Sequence, residues 1–244
     1  MDQIADSALD TFFDICARAT WAEPLWQATI TYFEAQGVSR VVYHHMPPLG
    51  TPDEGRIRVA THGFPQDWVR KYIRGKLYRV DPIPAHASMV EQPFRWSEIR
   101  DLRGLSAAEV AFLDSAAEAD LGDGWAIQAF GPGGRNGYFG IGMPPCPIDR
   151  RSIQTFQAVC QAAHLRYCRI TRDYAGDRPV LSDREAELLH WVARGKSNSV
   201  IAEIMRISPH TVDAYMRRIF LKLGTTDRIS AAVRALGLNL IRGY

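Results

Sequence analysis

No stretch of this 244-residue sequence approaches the run of roughly 18 apolar residues that a membrane-spanning helix requires, so a transmembrane segment is not expected. The N-terminus carries no basic segment leading into an apolar one; no export signal is read there, and the cytoplasm is the expected compartment. Cysteine is scarce, with Cys16, Cys146, Cys160 and Cys168 forming no C-x-x-C pair and having no histidine at zinc-finger spacing. A disulfide framework or structural zinc is therefore not expected, and Cys160 and Cys168 read as packing thiols on a helix. Internal repeats and low-complexity tracts are missing too. So are the marks of catalysis. GPGGRNG lacks the Lys-Ser/Thr end of a phosphate loop, and Gly195-Lys196-Ser197 has His190 where the leading glycine should stand. His44 and His45 are adjacent on an expected strand and point to opposite faces, which spoils them as a chelating pair. There is no Ser or Cys in a nucleophile elbow and no carboxylate pair at helical spacing in a cleft. Neither an enzyme nor a cofactor or metal protein is expected.

Hydrophobic content of 46% and charged content of 23% are those of a soluble globular protein. The length suits one substantial domain and a small one. Charge is unevenly shared between them. Residues 178–244 hold eleven Lys+Arg against six Asp+Glu, while the rest of the chain carries a net −3. A basic end on a mildly acidic chain is the footprint expected of phosphate contact rather than of general solubility.

That basic end has a legible order. Ser182 followed by Glu185 is a capping box, Leu188, Leu189 and Val192 make one apolar face, and Gly195 stops the helix. A second helix runs from about Asn198 to Arg206, with Ile201, Ala202, Ile204 and Met205 available for packing. After a three-residue turn, Ser208 caps a third helix with Pro209 in its first turn. Val212, Tyr215, Ile219 and Leu223 should pack inward there, leaving His210, Thr211, Asp213, Ala214, Arg217 and Arg218 outside. Gly224 closes the helix, and Asp227 caps a fourth. A short helix braced across one with a small, polar and basic N-terminal half is the arrangement that enters a major groove.

The stretch LSDREAELLHWVARGKSNSVIAEIMRISPHTVDAYMRRIFLKLG resembles the LuxR-type four-helix DNA-binding domain, matching its pattern at Leu181, Glu185, Gly195, Lys196, Ile201, Ser208, Thr211, Val212, Ile219 and Gly224 among others. The resemblance implies a transcription regulator that binds an inverted repeat in double-stranded DNA as a homodimer, recognition helices about 34 Å apart, and contacts RNA polymerase. Arg217 and His210 are expected at base edges with Thr211 and Asp213 beside them; Lys196, Ser197 and Arg218 are expected on phosphate. Asp213 departs from the basic or amide residue frequent in the family; it accepts from cytosine N4 but repels phosphate.

Upstream, 6–18 and 24–36 read as amphipathic helices, Pro24 opening the second and Gly37 ending it. VSRVVYHHM (38–46) alternates as a strand, with 56–61 its antiparallel partner. Residues 64–90 read as helix starting at Pro65, with Trp68 and Tyr72 on one face; 106–120 is a helix capped by Ser106. WAIQAF and GYFGIGM are strands, and 149–172 is a long helix. The expected fold is α+β: an N-terminal α/β/α sandwich on a central antiparallel sheet (1–172), a linker (173–180), and an all-α helix-turn-helix domain (181–244).

An aromatic cluster with one acid stands out: Phe64, Trp68, Tyr72, Tyr78, Asp81, Trp96 and Trp125. The residues alone allow an aromatic core with Asp81 capping a helix before Pro82, or a ligand pocket. Trp68, Tyr72, Asp81, Pro82, Trp96 and Gly124 resemble, in relative spacing, the six landmarks of the acyl-homoserine-lactone binding domain, the usual partner of this DNA-binding domain. The resemblance implies that Trp68 donates to the lactone carbonyl, Asp81 accepts from the amide N–H, Tyr72 and Trp96 wall the ligand, and Gly124 permits a close approach. Two positions depart from the family: Phe64 stands where a tyrosine hydroxyl is common, and Met143 where Ser or Thr is. The alternative reading is a solitary regulator answering another small molecule, or none.

Overall fold

The alternating segment at 38–46 forms strand β1 (Arg40–Met46), which pairs antiparallel with β2 (Arg58–His62) on one side and β5 (Asn136–Gly142) on the other. β5 in turn pairs with β4 (Gly124–Ala129), and β4 with the two-residue strand β3 (Phe94–Arg95), giving one sheet of order β2-β1-β5-β4-β3, antiparallel throughout. The computed structural model describes residues 2–51, 53, 54, 58–143, 148–173 and 179–241, the side chains of 2–6, 172 and 173 excepted. Cys146, the expected strand start at 56–57 and most of the linker at 173–180 lie outside the described residues.

Because side chains alternate along a strand, the sheet has two distinct faces. Val41, Tyr43, Ile127, Ala129, Phe139 and Ile141 share one core with Phe12, Phe33, Phe156 and Val159, contributed by helices α1 (Asp2–Arg18), α2 (Ala22–Ala35) and α7 (Arg150–Asp173). Fully burying each Val, Ile or Phe side chain among them stabilises by roughly 1.5–3 kcal/mol. On the opposite face lie α3 (Gln66–Arg74), α4 (Pro82–Ala87), α5 (Ile99–Leu102) and α6 (Ala107–Glu118). Packing there splits into a cluster at the sheet around Phe94, Ile99, Ala126 and Tyr138 and another of Trp68, Tyr72, Phe112 and Leu121.

Local chemistry explains where the elements differ from the sequence reading. The helical stretch expected at 64–90 breaks into α3, a 3-10 turn (Leu77–Arg79) and α4. Lys76 turns left-handed (φ 52°) after α3, and Pro82 restarts the chain as the first residue of α4. Pro24 does not open its helix: α2 begins at Ala22, and the proline sits in the first turn, where N–H groups have no intrahelical acceptor anyway.

The helix-turn-helix comprises α8 (Asp183–Ala193), α9 (Asn198–Met205), α10 (Pro209–Leu223) and α11 (Arg228–Gly237). Ser182, Ser197, Ser208 and Asp227 cap them in order, each accepting backbone N–H groups of the following turn. The buried stripe of α10 is Val212, Met216, Ile219 and Leu223. Met216 thus takes the inward place expected of Tyr215, which lies on the flank of that stripe because 212–216–219–223 keeps the 3.6-residue period. Ile204, expected inside, is 40% exposed. The chain divides into two compact units, one of 1–46, 57–131 and 135–171 and one of 47–56, 132–134 and 172–244. The fold is an N-terminal α/β domain on an antiparallel sheet followed by an all-α helix-turn-helix bundle.

Candidate ligand cavity and nucleic-acid interface

Between the two clusters on the second sheet face is a cavity of about 280 Å³. Val42, Val59, Phe112, Leu113 and Leu121 give it apolar walls, and Phe64, Trp68, Tyr72, Asp81 and Trp96 line it too. Five of the eight expected ligand residues therefore converge. Pro82 is buried at the start of α4 and Gly124 lies beneath Trp96; neither is among the lining residues. Met143 does not face the cavity. It follows the odd-numbered β5 residues Phe139 and Ile141 into the opposite core, whereas Tyr138, Gly140 and Gly142 lie on the cavity side.

Asp81 joins the two readings its position allowed. Its Oδ1 accepts from the Ile83 backbone N–H at 3.0 Å, capping α4, while its Oδ2 accepts from the Tyr72 hydroxyl at 2.9 Å beside the cavity. Burial pushes the carboxyl up to about 6, partly opposed by these two donors, so at neutral pH the carboxylate form prevails. His44, missed as a cavity residue, lines it from β1 and packs its ring on Tyr72 and Tyr138; burial drops its pKa to about 4 and keeps it neutral. Tyr138 was missed as well. Its signal was in the sequence: strand alternation puts Tyr138 on the same face as Gly140 and Gly142.

His45 faces the other way, as expected, and joins a buried polar cluster. The Arg135 carbonyl accepts from His164 Nε2 at 2.7 Å, which leaves Nδ1 of that ring to accept from the Tyr43 hydroxyl at 2.8 Å. Arg135 also donates to His45 Nε2 at 3.3 Å. His45, His164 and Cys168 hold their ligand atoms within 4.8 Å of one another. With both His164 nitrogens already engaged and a guanidinium alongside, this cluster fastens α7 to β1 as a hydrogen-bonded network rather than as a cation site.

In the helix-turn-helix, Lys196, Ser197, His210, Asp213, Arg217 and Arg218 are exposed and Thr211 is half-buried. Asn198 Nδ2 donates to Asp213 Oδ1 at 2.8 Å, tying the start of α9 to α10. Arg218 stacks on Tyr215 at 4.5 Å, and Arg217 Nε turns back to the Asp213 carbonyl at 3.4 Å. Beneath them Glu185 accepts from Lys222 at 2.6 Å and from its own capping partner Ser182 N at 2.7 Å, which joins α8 to α10.

An α/β unit holding a cavity walled by aromatic and apolar side chains around the buried carboxylate of Asp81, joined in one chain to a basic helix-turn-helix bundle, defines a sensor coupled to a DNA reader. Residues 22–167 match the model of the autoinducer binding domain and residues 179–235 that of the bacterial regulatory proteins of the luxR family. The chain is 31% identical over 181 residues to the HTH-type quorum sensing-dependent transcriptional regulator RpaR of Rhodopseudomonas palustris, covering 74% of each. Its fold is similar to the crystal structure of Escherichia coli SdiA, with a TM-score of 0.74 at 20% identity over 96% of this chain and 98% of that one. It is also similar to the N-acylhomoserine lactone dependent LuxR family transcription factor CepR2 of Burkholderia cenocepacia, with a TM-score of 0.51 at 19% identity over 71% of this chain and 96% of that one. The chain belongs to the LuxR family of quorum-sensing transcriptional regulators, and it is a ligand-responsive transcription factor rather than an enzyme. Among the described residues no helix is long and apolar enough to cross a membrane.

Proposed function

We propose that the first domain (1–172) binds an acyl-homoserine lactone and, through the linker at 173–180, governs how the second (181–244) engages an inverted repeat as a homodimer in contact with RNA polymerase. The observation that carries the ligand reading is Asp81: a buried carboxylate fixed by Tyr72 and Ile83 beside a cavity whose walls are mainly aromatic and apolar. An acyl-homoserine lactone has one amide N–H, carbonyls and an alkyl tail, and such a site offers it a buried acceptor in Asp81, aromatic walls and apolar side chains along the tail. Trp68 donates to the lactone carbonyl; Tyr72 and Trp96 wall the head group. Gly124 lets Trp96 lie close to the sheet. CepR2, named for its dependence on this ligand class, shares the fold. A cavity of about 280 Å³ stands at the lower end of small-molecule sites, which favours a compact ligand over a long-chain one.

On the DNA side Arg217 and His210 read base edges with Thr211, and Lys196, Ser197 and Arg218 hold phosphate. Asp213, tied to Asn198, orients α10 beside them. Adding a panel of acyl-homoserine lactones during expression tests the ligand reading. At least one should raise soluble yield and melting temperature, since a ligand that binds only the folded form stabilises it by mass action. No gain with any member would rule that class out.

A further inference from the structure

The floor of the cavity is built from glycine. Gly142 pairs with Gly124 across β5 and β4, and Gly140 stands two residues earlier on the same face as Gly142. A Cβ placed at Gly124 would lie 2.8 Å from the Trp96 ring, one at Gly142 3.3 Å from it, and one at Gly140 3.0 Å from the same ring and 2.6 Å from the Tyr138 hydroxyl. Three bare positions thus let Trp96 lie flat on the sheet and let the Tyr138 side chain fold along its own strand, its hydroxyl over Gly140. The His44 ring fixes the other side of Tyr138, edge-on at 5.4 Å.

The hydroxyl so placed has work left to do. Tyr138 is 3% exposed, and its proton has no acceptor among the described residues. The neighbouring Trp96 N–H, itself buried without a partner of normal geometry, can only donate, so it leaves the phenol proton free. Asp81 lies close enough that its charge, added to burial, keeps the phenol well above its ordinary pKa and hence protonated. Phe64, beside Trp96 in the lining, offers carbon alone. Tyr138 lines the cavity, where a ligand carbonyl can accept its hydroxyl proton.

We propose that Tyr138 is the donor to the ligand's acyl carbonyl in this protein, held in place by the glycine floor at 124, 140 and 142. The assignment rests on the acyl-lactone reading above. It makes the acyl amide a two-sided contact, its N–H on Asp81 and its carbonyl on Tyr138, and it selects ligands with a carbonyl adjoining the amide nitrogen over those without.

The full-length protein is titrated with N-octanoyl-homoserine lactone and with its thioamide analogue, whose sulfur is a weak acceptor. Tyr138→Phe, which keeps the ring, should lower affinity for the amide about tenfold and for the thioamide less than twofold. Equal losses for both ligands, or none, would overturn the assignment while leaving the acyl-lactone reading intact. An unchanged Tyr138→Phe together with a loss in Thr61→Val, the hydroxyl lining the cavity from β2, would likewise overturn it. A wild type that binds neither ligand would overturn this assignment, and the panel of lactones above decides the acyl-lactone reading separately. Should Tyr138→Phe not fold, Thr61→Val decides: an undiminished preference for the amide of about tenfold supports Tyr138 as the donor, and a preference below twofold removes it.

Discussion

The Tyr72 hydroxyl donates to Asp81 Oδ2 at 2.9 Å while the other oxygen of the same carboxylate caps α4. One side chain therefore has a structural and a ligand-facing half, and a substitution has to be chosen to separate them. Asp81→Asn keeps a capping acceptor and removes the charge. It should leave the melting temperature of the free protein within a few degrees and weaken lactone binding roughly ten- to hundredfold, the range for a hydrogen bond to a charged group. Asp81→Ala should additionally lose about 1 kcal/mol of stability with the cap. Calorimetric titration beside thermal melts reads both; undiminished affinity in Asp81→Asn would show the carboxylate to be structural only.

The same carboxylate sets a pH dependence. Its pKa of about 6 lies above the ordinary 3.8 because burial outweighs the Ile83 and Tyr72 hydrogen bonds. Between those values the folded protein holds a proton that the unfolded chain has released, so this group favours folding most at acid pH and that contribution fades as pH rises through about 6. A ligand N–H stabilises the ionised form. Binding at pH 6 should then expel part of a proton and binding at pH 8 almost none, which calorimetry in two buffers of different ionisation enthalpy measures. Proton uptake at pH 6 would contradict the contact.

Glu185 behaves in the opposite sense. Burial pushes its carboxyl up, but Lys222 and Ser182 together outweigh it and hold it below the usual range. Its contribution is present above pH 4.5 and is lost as pH falls through the lower folded value. Glu185→Gln should destabilise the helix-turn-helix by about 1–2 kcal/mol at pH 7, a figure reduced from that of a buried pair because Lys222 is 40% exposed. The deficit should shrink toward pH 3.5. Urea unfolding of the full chain at the two pH values gives the answer.

On the DNA face, Arg217→Ala should cost about 1–3 kcal/mol against the cognate site and relax its sequence preference. Arg218→Ala should instead weaken binding evenly across sequences and reduce the salt slope by about one. Anisotropy titrations over a salt series, with selected and random duplexes, separate them; interchanged behaviour would reverse the assignment.

Much of this was legible because it is local. Caps at Ser182, Ser208 and Asp227 and the i, i+4 pair Trp68 and Tyr72 follow from spacing alone, and the structure has each in its place. Tyr215 against Met216 was a choice between neighbours on a helix, where one position turns a side chain by about 100°. The cavity was harder. Met143 was placed on the wrong face because the glycine-rich turn at 131–137 hides the register, and register alone decides which side of a sheet a residue serves. His44, from a distant strand, reaches Tyr72 and Tyr138 only through tertiary pairing that no local pattern encodes. Tyr138 was within reach, since a tyrosine followed by two glycines at alternate positions marks a surface left bare for rings.

Control of a sequence-specific DNA reader by a small molecule is tested most directly by selection of genomic fragments with the purified protein. With an acyl-homoserine lactone that raises its melting temperature, the protein should bind inverted-repeat fragments at physiological salt at least about a thousandfold more tightly than random duplex, and omitting the lactone should change that preference. Equal affinity for selected and random DNA, with or without lactone, would contradict it.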